Sequence, residues 1–83
     1  MTHAQHLEEL REIVAEVLEL DVDELTDVGD FVEDYEADSL RAIEVLARIE
    51  KRYSVEIPQE ELAEMRNLKA VYDIVARYVG WRD

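Results

Sequence analysis

Residues 30–58 read DFVEDYEADSLRAIEVLARIEKRYSVEIP, and a change of pattern inside this run sets the architecture. Up to Asp38 the residues are mostly acidic, with scattered apolar side chains and no repeat. Beyond it Leu40, Ile43, Leu46, Ile49 and Tyr53 recur at steps of three and four, the spacing that gathers side chains on one face of an α-helix. Asp38, just before this run, can cap such a helix by accepting from its free backbone N–H groups. The helix is expected to end near Tyr53, with residues 54–57 extended. Pro58, whose fixed φ suits a first helical position, is expected to open a short helix reaching about Met65.

The same spacing appears on both sides of this run. Toward the N-terminus Leu7, Leu10, Ile13, Val14, Val17 and Leu18 alternate with Glu8, Glu9, Glu12, Glu16 and Glu19, which predicts an amphipathic helix over roughly residues 3–20. Toward the C-terminus Asn67 can cap a last helix carrying Leu68, Val71, Ile74, Val75 and Tyr78. Residues 21–38 are then a long loop with a turn at Gly29. A free loop of this length is uncommon in a compact domain unless it has a function, so its isolated apolar residues, Phe31 above all, are expected to fasten it to the core. One apolar stripe per helix needs partners on that side alone. The expected fold is therefore all-α, a small four-helix bundle of three main helices and one short helix, with residues 1–83 as a single domain and Gly80 and Trp81 closing the chain.

Composition narrows the function. A chain of 83 residues buries only about 60% of its unfolded surface, too little for a large enclosed active site. The formal net charge is −13, a potential that repels phosphate backbones and anionic headgroups and attracts a basic patch on another protein. No nucleic acid and no membrane are expected as partners. There is no cysteine, hence no disulfide, thiolate nucleophile or thiolate metal ligand. No apolar run has the length of a membrane span or a signal h-region, and a cytoplasmic location is expected. His3 and His6 fall in the first helical turn, where chain ends fray, and are expected to be plain surface residues rather than a metal site or a catalytic base. Asp21, Asp23 and Asp27 lack the alternating ligand pattern and closing Glu of a calcium loop. With no carboxylate pair singled out and no nucleophile beside a base, an enzyme is not expected.

One hydroxyl stands in an unusual place. Ser39 lies where the acidic loop meets the start of the second helix, and the free N–H groups and positive dipole end there favour a phosphate by about 0.3–1 kcal/mol when exposed. Local physics alone favours the plainer role, in which Ser39 or Asp38 simply caps the helix. Neither is followed by Glu or Gln three residues on, so a capping box does not support that role.

The run of residues 30–58 resembles the acyl carrier protein family, in which Asp-Ser-Leu at the head of the second helix is the modification motif. Here those residues are Asp38, Ser39 and Leu40. The likeness spans nearly the whole chain: an acidic first helix, the loop, the helix after Ser39, VEIPQEE leading into a short helix, and an apolar last helix. It implies that Ser39 receives phosphopantetheine from coenzyme A through a phosphopantetheinyl transferase. It further implies a non-catalytic carrier, monomeric when free, that passes thioester-linked acyl groups among ketosynthase, reductase and dehydratase enzymes of a polyketide or fatty-acid pathway. Val14, Ile43, Leu46, Leu68, Val71 and Ile74 would face inward as a candidate acyl pocket, although ordinary core packing accounts for the same positions. An unmodified acidic adaptor of this fold and a peptidyl carrier for amino acids are the alternative readings.

Two features depart from the family pattern. Tyr35 and Glu36 stand where the family has Leu-Gly, so Glu36 must adopt an ordinary backbone conformation or bear strain. Residues 21–38 hold nine acids and no base, whereas residues 39–53 hold Arg41, Arg48, Lys51 and Arg52 against Glu44 and Glu50. Docking of basic partner patches is accordingly expected to rely on Glu33, Asp34 and Glu36 of the loop, with Glu44, Glu60, Glu61 and Glu64 contributing.

Overall fold

Residues 3–81 are described by the computed structural model, and the three stretches with helical apolar spacing form α1 (His3–Leu18), α2 (Ser39–Tyr53) and α3 (Leu68–Val79). Single 3-10 segments occupy Val22–Glu24 and Gln59–Glu64, and no strand occurs among the described residues. α1 packs against both α2 and α3. Its Leu10, Val14 and Val17 meet Val45, Leu46 and Ile49 of α2 and Leu68, Val71, Ile74 and Val75 of α3 in one buried cluster. Each such side chain contributes about 1.5–3 kcal/mol on leaving water. Asp38 and Asn67 cap α2 and α3, accepting from the Arg41 N–H at 3.0 Å and the Ala70 N–H at 2.8 Å.

α1 stops at Leu18, two residues before its expected end, because Glu19 turns to φ 59°. The Leu20 N–H then reaches back to the Ala15 carbonyl at 2.9 Å and the Glu19 N–H to that of Glu16 at 3.3 Å, the paired bonds that close a helix C-terminus through a left-handed residue. α2 ends likewise at Ser54 (φ 53°) and α3 at Gly80 (φ 87°). Only the last of these left-handed positions is a glycine.

The short helix is 3-10 rather than α, and Pro58 precedes it instead of occupying its first position. The Glu61 N–H bonds the Pro58 carbonyl at 3.0 Å and the Met65 N–H that of Leu62 at 3.1 Å. A 3-10 segment rises about 2.0 Å per residue against about 1.5 Å for an α-helix, so the few residues between Pro58 and the Asn67 cap span more of the distance from α2 to α3.

Leu25 and Phe31 anchor the loop, at 2% and 7% exposure, while Val28 and Val32 stay in solvent. The Phe31 N–H donates to the Arg66 carbonyl at 2.8 Å, and the Lys69 N–H to that of Asp27 at 2.9 Å. From α1 the Arg11 guanidinium donates to the Leu25 carbonyl and to the carboxylates of Asp27 and Glu8. Apolar burial and backbone pairing together fix the approach to Ser39.

Of the two histidines, His3 is exposed as expected, but His6 is not a plain surface residue. His6 is half-buried and stacks on Trp81 with ring centroids 3.8 Å apart, and the His3 ring lies 4.2 Å from that of Tyr72. Trp81 also meets Tyr53 edge-on at 5.1 Å. The first turn of α1 is held because the other end of the chain folds back over it, with Trp81 covering that end of the bundle.

Candidate functional site

The residues before Ser39 form a helical turn that caps itself. Asp30 accepts from the N–H groups of Val32 at 2.9 Å and Glu33 at 3.0 Å, and Asp34 in turn accepts from the Asp30 N–H at 2.7 Å. The Glu33 and Val32 N–H groups, with Arg66 at 3.6 Å, hold the Asp30 carboxyl below the usual carboxylate range. The turn closes at Glu36, which takes φ 57° and bears the strain that a glycine would avoid.

Tyr35 has a task that a leucine could not perform. Its hydroxyl accepts from the Thr26 N–H at 3.0 Å, tying the two halves of the loop together. A Cβ at Gly29 would lie 2.6 Å from that hydroxyl oxygen and 2.7 Å from Thr26 Oγ1, so a side chain there would displace the hydroxyls that meet at this crossing.

At the start of α2 the cap is the Asp38 carboxylate, and Ser39 is the first helical residue, exposed to solvent. The two roles that the sequence left open are thus separated. The first N–H groups of a helix have no carbonyl one turn back to bond; here the Asp38 carboxylate takes that of Arg41, and Ser39 stands exposed in the same turn. Beside Ser39 lies a cavity of about 510 Å³ between the loop, α2 and the 3-10 segment Gln59–Glu64 with the residues after it. Phe31, Val32, Ile43, Val45, Leu62 and Met65 give it an apolar lining, and Asp30, Glu33, Asp38, Ser39, Arg41 and Arg66 a polar one.

The expected site residues distribute unevenly around this cavity. Ile43 lines it and is 42% exposed, whereas Val14, Leu46, Leu68, Val71 and Ile74 are buried in the bundle core and do not line it. Leu40, next to Ser39, is 67% exposed. Val45, rather than Ile43, takes a buried position on α2, beside Leu46 and Ile49. Glu33 lines the cavity, and Asp34, Glu36, Glu44, Glu60 and Glu64 are exposed. Glu61 is half-buried and occupied, accepting from the Tyr78 hydroxyl at 2.9 Å with Arg77 at 3.7 Å. That hydrogen bond, with burial, pushes the Tyr78 hydroxyl pKa upward.

The arginines of α2 face inward along the surface rather than outward. Arg41 donates to the Val17 carbonyl at 2.6 Å and to Glu19 at 3.3 Å, Arg48 pairs with Glu16 at 2.7 Å, and Arg52 with Glu9 at 3.5 Å. Exposed pairs of this kind are worth about 0–1 kcal/mol each. Their larger effect is to direct the positive charge of α2 onto α1. Sequence reasoning missed Arg66, Asp30 and Leu62 as neighbours of Ser39, since they lie outside the three periodic stripes and only the folded loop brings them there.

A phosphodiester on Ser39 fits what surrounds it: an exposed oxygen, the open end of a fifteen-residue helix, and two arginines in the adjoining cavity wall. Among the described residues no cluster of three His, Cys, Asp or Glu could hold a metal ion, and no helix is long and apolar enough to cross a membrane.

Comparison with known proteins agrees with this geometry. The family described as Phosphopantetheine attachment site matches residues 8–75. Two Streptomyces avermitilis proteins are similar along most of their length. "Polyketide-8 synthase acyl carrier protein 2" is 44% identical over 79 residues, covering 95% of this chain and 91% of the relative. "Polyketide-8 synthase acyl carrier protein 1" is 48% identical over 73 residues, covering 88% and 87%. A chain in the solved structure of "The ishigamide ketosynthase/chain length factor" superposes with a TM-score of 0.79 at 38% identity, covering 93% of this chain and 97% of that one. With the family match spanning both sides of Ser39 and two carrier proteins this similar, the chain belongs to the acyl carrier protein family, non-catalytic carriers that bear phosphopantetheine and work with separate enzymes.

Proposed function

We propose that this protein carries phosphopantetheine on Ser39 and shuttles acyl intermediates between the separate enzymes of a polyketide pathway. The observation that carries the reading is the division of labour at the head of α2: Asp38 caps the helix, and Ser39 is left exposed at the edge of a largely apolar cavity. When bound, the group supplies a mobile thiol that holds an acyl chain as a thioester.

The protein's own residues address and orient that group. The helix end favours the phosphate, the capped turn of residues 30–36 fixes the approach, and the cavity beside Ile43 offers apolar shelter to the first part of a chain. Deeper penetration among Val14, Leu46, Leu68, Val71 and Ile74 requires the helices to part, because those side chains are at most 3% exposed. The transferase, a ketosynthase and the other acyl-processing enzymes would approach the acidic loop with basic patches. The polyketide assignment rests on the names of the two Streptomyces relatives, and the ketosynthase partner on the ketosynthase named for the matching structure.

The test is intact mass after incubation with coenzyme A and a broad phosphopantetheinyl transferase. The wild-type protein gains one phosphopantetheine and Ser39→Ala gains none. Failure of the wild type with several competent transferases would replace the carrier reading with that of an unmodified acidic adaptor.

A further inference from the structure

The polar wall of the cavity is short of positive charge. Asp30, Glu33 and Asp38 face Arg41 and Arg66 there, and a phosphodiester on Ser39 adds one more negative charge to this group. Of the two arginines, Arg41 is committed, with a carbonyl at 2.6 Å and a carboxylate at 3.3 Å. Arg66 is not: its side chain is 71% exposed, and its ion-pair partner among the described residues, Asp30, lies at 3.6 Å. That carboxylate already receives two backbone N–H groups on its other oxygen, so it does not depend on the guanidinium for satisfaction.

Arg66 is also held where it can serve. Its carbonyl accepts from the Phe31 N–H at 2.8 Å, which pins the Arg66 backbone against the buried anchor of the loop, while the side chain remains free to turn within the cavity wall it shares with Ser39. A guanidinium has five donors in a planar fork, enough to keep the Asp30 contact and bind a second anion. We propose that Arg66 is a positioning residue for the phosphopantetheine arm, bridging the phosphodiester on Ser39 to the Asp30 carboxylate and thereby tying the loaded arm to the loop. The bridge turns loading into a local change of structure: the side chain is loose in the apo protein and ordered in the loaded one.

This inference rests on Ser39 as the attachment residue, so loading is verified first by intact mass for wild type, Arg66→Gln and Arg66→Lys. A wild-type chain that does not load counts against the proposed function itself, which keeps the two failures distinct. For loaded chains, nitrogen-15 NMR follows the Arg66 Nε–H signal, and thermal unfolding in low salt compares apo and loaded forms. On loading, the wild-type Nε–H signal shifts and its exchange with water slows. Arg66→Gln loses about 2–5 °C more on loading than wild type, the scale set by one exposed ion pair in a domain this small. Arg66→Lys, with the charge but not the fork, falls between, and high salt removes the difference. An Arg66 signal unchanged by verified loading, or an equal response of wild type and Arg66→Gln, overturns the bridge.

Discussion

Glu36 combines two demands that oppose each other. Its φ of 57° lies in the region where a Cβ crowds the following carbonyl, at a cost of about 1–2 kcal/mol relative to right-handed backbone. Glycine would escape that cost, but it would give up a carboxylate at the loop's exit toward Ser39. Glu36→Gly should therefore raise stability by about 0.5–1 kcal/mol, the relieved strain less the extra freedom glycine gains in the unfolded chain. Urea unfolding measures this, and a variant no more stable than the parent would mean that Glu36 sits in its conformation without strain. The missing glycine is visible in the sequence, but an ordinary backbone and a strained one are equally compatible with it. Neighbours decide between them: the Tyr35 hydroxyl on the Thr26 N–H and the Glu36 N–H on the Val32 carbonyl hold the turn from both sides.

At the scale of elements, the helices were legible because three apolar stripes repeat at the right spacing and two caps, Asp38 and Asn67, are side chains of the expected type. Their C-terminal ends were less so, since Glu19 and Ser54 turn left-handed without the glycine that usually announces it. The loop was legible only as a loop. Its bonds to Arg11, Arg66 and Lys69 join residues far apart in the chain, and no local pattern encodes them. Phe31 is the exception, an isolated aromatic in an acidic stretch that had to be buried. It is 7% exposed, its N–H is bonded to the Arg66 carbonyl, and its side chain lines the cavity beside Ser39. Phe31→Ala should destabilise by about 3 kcal/mol, the low end for such a change because a surface loop can partly collapse into the gap. Hydrogen exchange at residues 30–37 should accelerate more than in the helices. Uniform acceleration throughout the molecule would show that Phe31 belongs to the common core and is not a separate anchor of the loop.

Across the whole molecule, the net charge of −13 is distributed by the fold in a way that counting along the chain does not reveal. The positive residues of α2 suggested a mixed docking face, yet Arg41, Arg48 and Arg52 each reach a glutamate at or just beyond α1, so their charge is largely cancelled at the helix interface. The loop keeps its negative charge with Glu33 and Glu36 exposed near Ser39. A basic partner would then be steered toward the end of the molecule where the hydroxyl lies. Steering acts on the association rate and fades with salt. Glu33→Lys should slow association with a ketosynthase by about 3- to 10-fold at low ionic strength, an effect that shrinks as salt brings the Debye length down to about 8 Å. Glu12→Lys, the same charge reversal on an exposed position of α1, is the control. Stopped-flow association separates the cases. If both variants slow the reaction equally, the partner responds to total charge alone, and the loop has no privileged part in bringing it to Ser39.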